Sequence, residues 1–160
     1  MINQKIKTLN KLKAIVSGIK RHGKVVVFTN GCFDLLHYGH AKYLEDAKRK
    51  GDILIVAVNS DASIKKIKGK LRPVISENNR LKLLAALESV DYLTLFKETT
   101  PLRLIRELKP DILIKGADWD KNNIVGSCDV LKRGGKIITI KLVKGLSTTN
   151  LIRKIAKKFS

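Results

Sequence analysis

Five short runs in this chain are apolar on both of their faces: 24–30 (KVVVFTN), 52–60 (DILIVAVNS), 90–96 (VDYLTLF), 111–116 (DILIKG) and 136–143 (KIITIKLV). A strand with one face in water alternates apolar and polar residues; one covered on both faces does not. Between these runs lie stretches with apolar residues at helical spacing. Ile6, Leu9, Leu12, Val16 and Ile19 predict a first helix ending near His22–Gly23, so that residues 1–22 lead into the domain. Tyr43, Leu44 and Ala47 predict a second helix stopped by Gly51. A short helix at DASIKK runs into the basic loop KGKLRP. Ser76 is expected to cap a helix that turns Leu81, Leu84 and Leu87 inward. Thr100–Pro101 opens the next helix, which runs to Pro110, and the last presents Leu151, Ile152, Ile155 and Phe159 to the core. Buried strands alternating with amphipathic helices predict an α/β fold: a Rossmann-like, doubly wound, parallel five-stranded sheet with helices on both faces. No repeat or linker divides the 160 residues, so residues 1–160 are expected to form one domain.

Composition narrows the class. Apolar residues make up 44% of the chain, which argues against disorder, and no run approaches the roughly 20 apolar residues that span a bilayer. The basic N-terminus lacks a small-residue cleavage site, so a cytoplasmic protein is expected. Cys32 and Cys128 match no zinc spacing and are read as free thiols. The net charge of +19 suits any polyanion, but the lysines are spread evenly and aromatics are only 5%; neither nucleic acid nor a membrane is expected as partner.

In a doubly wound sheet the ligand lies at the carboxyl ends of the strands. Those ends read TNGCFD, NSDAS, GADWD and KGLSTT, all polar, small or glycine-containing. In TNGCFDLLHYGH, Gly31 lets backbone approach a ligand, His37 and His40 flank the start of a helix, and Gly39 keeps the space between them open. The helix N-terminus adds free N–H groups and a positive dipole end, which suit an anion. Zinc is the rival reading, yet His22 lies at the other end of the first strand and the pleat turns Cys32 away. Ser147, Thr148 and Thr149 offer more hydroxyls than one helix cap uses. The cations Lys65, Lys66, Lys68, Lys70, Arg72 and Arg80 follow the second strand. Asp118 can bind a ribose or a base amine, and Trp119 can cover a ring.

GCFDLLHYGH resembles the G-x-F-D-x-x-H-x-G-H signature of the HxGH nucleotidyltransferase superfamily, and GLSTTNLI resembles its second signature. The order of NSDAS, RPV, ENNR, KGADW and NNIVG over residues 10–158 is similar to the D-glycero-β-D-manno-heptose 1-phosphate adenylyltransferases, the ADP-heptose synthases. The resemblance implies ATP, brought as its magnesium complex, and a sugar 1-phosphate as substrates, with ADP-heptose and pyrophosphate as products. His37, His40, Lys68 and Arg80 become the catalytic candidates. Asn30, Gly31, Cys32, Phe33, Gly39, His40, Lys115, Gly116, Asp118, Trp119, Ser147, Thr148 and Thr149 would hold the nucleotide, and Lys66, Lys68 and Arg80 the substrate phosphate. No protein metal ligand is assigned; Asp34 is expected to orient its loop and is the one carboxylate that could stand near Mg²⁺. The family further implies a homodimer. It often carries a sugar kinase upstream, so a separate kinase and phosphatase are expected to supply the heptose phosphate here. GADW, where heptose enzymes usually show a second glycine and a tyrosine, also resembles the glycerol-3-phosphate cytidylyltransferases. CTP with glycerol 3-phosphate is therefore the alternative substrate pair.

Overall fold

A computed structural model of the chain describes residues 2–120 and 123–159. Every expected strand forms, over β1 (Val26–Gly31), β2 (Ile53–Asn59), β3 (Tyr92–Phe96), β4 (Ile112–Gly116) and β5 (Lys136–Ile140). They build one parallel sheet in the order β3-β2-β1-β4-β5, so the chain reverses direction across the sheet between β1 and β4. The helices are α1 (Ile2–Lys5), α2 (Leu9–Arg21), α3 (Tyr38–Lys48), α4 (Asp61–Lys68), α5 (Glu77–Ala85), α6 (Leu102–Leu108), α7 (Ser127–Leu131) and α8 (Thr148–Phe159).

The continuous apolar runs have the expected consequence. One core, containing Val27, Leu44, Leu54, Val56 and Leu84, fills the α3 and α5 side of the sheet. The other, containing Leu12, Phe28, Ile55, Ile105 and Val130, fills the α2, α6 and α7 side. Leu12 and Val16 carry the buried face of α2, at 0% and 3% exposure, and each such burial contributes roughly 1.5–3 kcal/mol. Each strand turns its two faces to different cores, which is why no strand alternates in polarity.

Five local expectations change. The first helix breaks at Ile6, because Ile6 pairs with Leu93 as a parallel bridge and Lys7 N donates to Leu93 O at 2.8 Å. Thr8 then starts α2 afresh, its hydroxyl accepting from Lys11 N. Ser76 precedes α5 without a side-chain cap, and Pro101 stands at the N-cap of α6 rather than inside it. Helix α8 buries none of its residues: Ile155 is 52% and Phe159 79% exposed, since the helix leaves the sheet after β5. Finally, α3 ends at Lys48, and Gly51 serves close packing instead of a cap. A Cβ there would stand 2.7 Å from Val27 Cγ2 and 3.0 Å from Val25 O.

Two glycines should therefore respond in opposite ways. Gly18 lies within α2 with open space where an alanine methyl would stand, so Gly18→Ala should stabilise by about 0.5–1 kcal/mol through helix propensity. Gly51→Ala should destabilise by about 1–3 kcal/mol, the usual cost of overpacking. Urea unfolding of both variants beside the parent chain checks the pair.

Candidate active site

Backbone pairing between β1 and β2 spans six residue pairs, Val26–Ile53 to Gly31–Val58. Between β1 and β4 it stops after Val27–Ile112 and Phe28–Leu113. Beyond that point side chains take over: Thr29 Oγ1 donates to Ile114 O at 3.1 Å and lies 2.8 Å from Tyr43 Oη, and Lys115 Nζ reaches Asn30 O at 3.5 Å. The strands part, and a cleft of about 370 Å³ opens at their carboxyl ends, as the order reversal dictates.

The turn after β1 sets the first wall. Phe33 takes a left-handed φ of 47°, unusual for an aromatic residue, and its ring covers the space where a Gly31 Cβ would stand. Gly31 thus makes room for Phe33 rather than for a ligand. Because the strand ends at Gly31, its pleat no longer governs the next residue, and Cys32 lines the cleft instead of turning away. Burial raises its thiol pKa, against the pull of the nearby Lys68, Arg80 and Arg72.

His37 is the N-cap residue of α3, extended at φ −140° and ψ 170°, and its side chain makes no cap bond. Its ring stacks on His40 with centroids 3.9 Å apart, while Phe33 meets His40 edge-on at 5.3 Å. Gly39 permits this: a Cβ there would come within 3.0 Å of the His37 ring. Both ring nitrogens of His37, Nδ1 of His40 and Oδ1 of Asn30 are buried without a hydrogen-bond partner. Buried polar atoms of this kind almost always have partners, so four orphans lining one cleft call for a polar ligand. Burial, with His37 adding to it, pushes His40 down to about 4, and burial also lowers His37. Both rings are neutral near pH 7. A phosphate entering the cleft would offset these penalties for the charged form.

Opposite the pair, the loop before α8 brings Ser147, Thr148 and Thr149 to the cleft; Ser147 Oγ accepts from Asn150 N, leaving the two threonine hydroxyls for other use. Lys115, Gly116, Asp118 and Trp119 form the β4 wall. Lys115 Nζ sits 5.4 Å from the Trp119 ring centre, and burial lowers its pKa to about 8. Trp119 remains 48% exposed at the rim. Asn122 of the NNIVG stretch lies outside the described residues.

Of the residues expected from sequence, Asn30, Gly31, Cys32, Phe33, Asp34, His37, Gly39, His40, Lys68, Lys115, Gly116, Asp118, Trp119, Ser147, Thr148 and Thr149 line this one cleft. Lys66 and Arg80 do not. Positions 66 and 68 of a helix are about 200° apart, so when α4 turns Lys68 to the cleft it turns Lys66 to solvent. Arg80 is 1% exposed and wholly engaged: its nitrogens donate to Ile75 O, Cys32 O, Asn59 O and Asp61 Oδ1. It staples β1, β2 and α4 together from beneath the cleft floor. Asp34 orients its loop as expected, but both of its oxygens already accept from Arg72, Val74 N and Ile75 N, which leaves no open carboxylate for a metal ion. Tyr43, Arg72, Leu142, Val143 and Leu146 join the lining without having been assigned to a site from sequence. Arg72 was visible there only as one more cation in a basic run.

A five-stranded parallel sheet with a phosphate-competent crevice at its reversal point defines an α/β nucleotide-handling protein. The cytidylyltransferase-like family model matches residues 28–154, and the chain belongs to that family, an enzyme of the nucleotidyltransferase type. The Bifunctional protein HldE of Geobacter metallireducens is 50% identical over 155 residues, covering 97% of this chain and 32% of that protein. Its counterpart in Geotalea uraniireducens is 52% identical over 151 residues, covering 94% of this chain and 31% of that protein. The chain therefore spans about a third of the length of the curated relatives it matches. The crystal structure of the lipopolysaccharide core biosynthesis protein from Thermoplasma volcanium GSS1 superposes with a TM-score of 0.63 at 35% identity, covering 76% of this chain and 98% of that one. A pantoate-beta-alanine ligase from Francisella tularensis shares the fold alone, with a TM-score of 0.64 at 18% identity over 96% of this chain and 76% of that one. Among the described residues, no helix is long and apolar enough to cross a membrane.

The neutral imidazoles give a pH dependence. His40 titrates near 4 in the fold and near 6.5 in the unfolded chain, so between those values the unfolded chain binds more protons. Stability contributed by His40 is present above about pH 6.5 and is lost as pH falls toward 4. In thermal melts, the parent chain should lose Tm on going from pH 7 to pH 5 more steeply than His40→Asn.

Proposed function

We propose that the chain transfers the adenylyl group of ATP to D-glycero-β-D-manno-heptose 1-phosphate, giving ADP-heptose and pyrophosphate. The observation that carries the reaction class is the stacked histidine pair with three unpartnered ring nitrogens at the start of α3, facing the hydroxyls at the start of α8. The choice of heptose rests on the resemblance of the NSDAS, KGADW and NNIVG segments, and the similarity to a lipopolysaccharide core biosynthesis protein supports it.

A phosphate oxygen of the sugar attacks the α-phosphorus of ATP. The new P–O bond forms as the bond from the α-phosphorus to the bridging oxygen breaks, and pyrophosphate leaves with that electron pair. A phosphomonoester is largely ionised at neutral pH, its second pKa being about 6, so the step needs no general base. What the protein must supply is in-line positioning and donors for the charge on the α-phosphoryl and leaving groups. His37 and His40 donate ring N–H groups to the triphosphate, Thr148 and Thr149 hold the β- and γ-phosphates, and Lys68 faces the incoming phosphate. Asn30, Lys115, Gly116, Asp118 and Trp119 enclose the nucleoside. Magnesium arrives bound to ATP as part of the substrate, which accords with the committed oxygens of Asp34. On this reading the enzyme works in the cytoplasm as a homodimer on a sugar phosphate made by kinase and phosphatase steps.

Pyrophosphate release with ATP and heptose 1-phosphate, run beside CTP and glycerol 3-phosphate, tests the assignment. Turnover with the first pair is expected to dominate; turnover with only the second transfers the assignment to a cytidylyltransferase. His40→Ala should fold and lose about 10²–10³ in kcat, the size typical of one preorganised donor. Near-parental kcat in that variant would contradict the phosphate role of the pair.

A further inference from the structure

The segment from Gly69 to Ile75 joins α4 to α5 along the rim of the cleft and is not held by apolar packing: Leu71 is 93% and Val74 54% exposed. It is held by Asp34, itself 1% exposed. Asp34 Oδ2 accepts from Arg72 Nε at 2.6 Å, and Oδ1 accepts from Val74 N at 2.8 Å and Ile75 N at 2.9 Å. From the other side, Arg80 Nε donates to Ile75 O at 3.0 Å. A buried carboxylate and a buried guanidinium thus grip one peptide segment between them. Burial opposes ionisation of Asp34, yet the Ile75 and Val74 N–H groups and the Arg72 guanidinium outweigh it and hold the carboxyl below its usual range.

This grip uses only one nitrogen of Arg72. Its two terminal nitrogens have no partner among the described residues, and the side chain, 17% exposed, lines the cleft together with Lys68. A guanidinium held at Nε by a buried carboxylate leaves its two terminal nitrogens as a two-donor fork, the shape that fits two oxygens of one phosphate. Topology places the fork suitably. Lys68 and Arg72 follow β2, on one flank of β1, whereas Ser147–Thr149 follow β5, on the other, with the histidine pair between them. In-line displacement needs nucleophile and leaving group on opposite sides of the reacting phosphorus. If the hydroxyl loop before α8 takes the leaving pyrophosphate, the cationic flank is where the nucleophile belongs.

We propose that the free edge of Arg72, together with Lys68, is the subsite for the phosphomonoester of the acceptor, and that Asp34 is the positioning residue that presents Arg72 to it. The subsite rests on the nucleotidyl-transfer reading. It replaces the role expected of Arg80, whose guanidinium is fully engaged inside the protein.

Steady-state kinetics with ATP and the sugar 1-phosphate, combined with calorimetric titration of ATP, test the subsite. Arg72→Gln should raise the KM for the acceptor roughly 10–100-fold, as expected for a lost charge-assisted pair, while ATP affinity stays within about twofold. Arg72→Lys should recover only part of the loss, since a lysine cannot form the fork. Asp34→Asn should move the acceptor KM in the same direction with ATP affinity kept, the retained ATP binding also reporting that the variant is folded. Lys70→Gln, on the same segment but off the cleft, should match the parent. An acceptor KM within twofold of the parent in Arg72→Gln, or an equal loss of ATP affinity, overturns the subsite. No turnover by the parent chain overturns the nucleotidyl-transfer reading itself, and the subsite with it.

Discussion

The cleft exists because β1 and β4 stop pairing. Two residue pairs join them, and then the chain on each side turns away to a different face of the sheet. A parallel sheet that continued in register would have filled this space with backbone hydrogen bonds. Thr29 and Lys115 carry the remaining connection through side chains, which hold the strands apart at a fixed width. Everything proposed for the chemistry hangs from this gap. The histidines enter from the helix that follows β1, the lysine and tryptophan from β4, and the hydroxyls from the loop after β5.

Two buried charges give that gap firm edges. Arg80 lies beneath the cleft and Asp34 at its wall, and every nitrogen of the one and both oxygens of the other are bonded to backbone or to an opposite charge. Such groups add little net stability compared with apolar substitutes, but removing one partner leaves the other unpaired in a dry environment. Their value lies in geometry. Carbonyls of Cys32 just after β1, of Asn59 in β2 and of Ile75 are brought to one guanidinium, which ties the cationic flank to the turn that leads into the histidine pair.

Much of this was readable in the chain, for identifiable reasons. Short, β-branched apolar runs without alternation, set between helical patterns, fit strands buried on both faces, so the sheet and the position of the cleft followed from pattern and topology. The histidines, the hydroxyl loop and the β4 end were legible because polar and glycine residues at strand ends have few other uses. What failed depended on direction in space. Arg80 and Arg72 are both arginines downstream of β2, and nothing in their spacing tells which guanidinium is buried. Lys66 and Lys68 differ only by the rotation of one helix. Ile6 has helical spacing, yet a free edge beside β3 offered it a strand partner. Helix α8 has a strong apolar face of which the described fold covers Leu151 and Ile152 only in part and leaves Ile155 and Phe159 exposed.

The central claim is that the histidines stabilise charge in a single displacement and form no bond to phosphorus. Stereochemistry at the α-phosphorus decides this directly. With an ATP analogue bearing one sulfur at a defined position on the α-phosphorus, a single in-line attack inverts the configuration in the nucleotide-sugar product. Inversion is the predicted result. Retention would mean two successive displacements through a nucleotidyl-histidine, and would contradict the account.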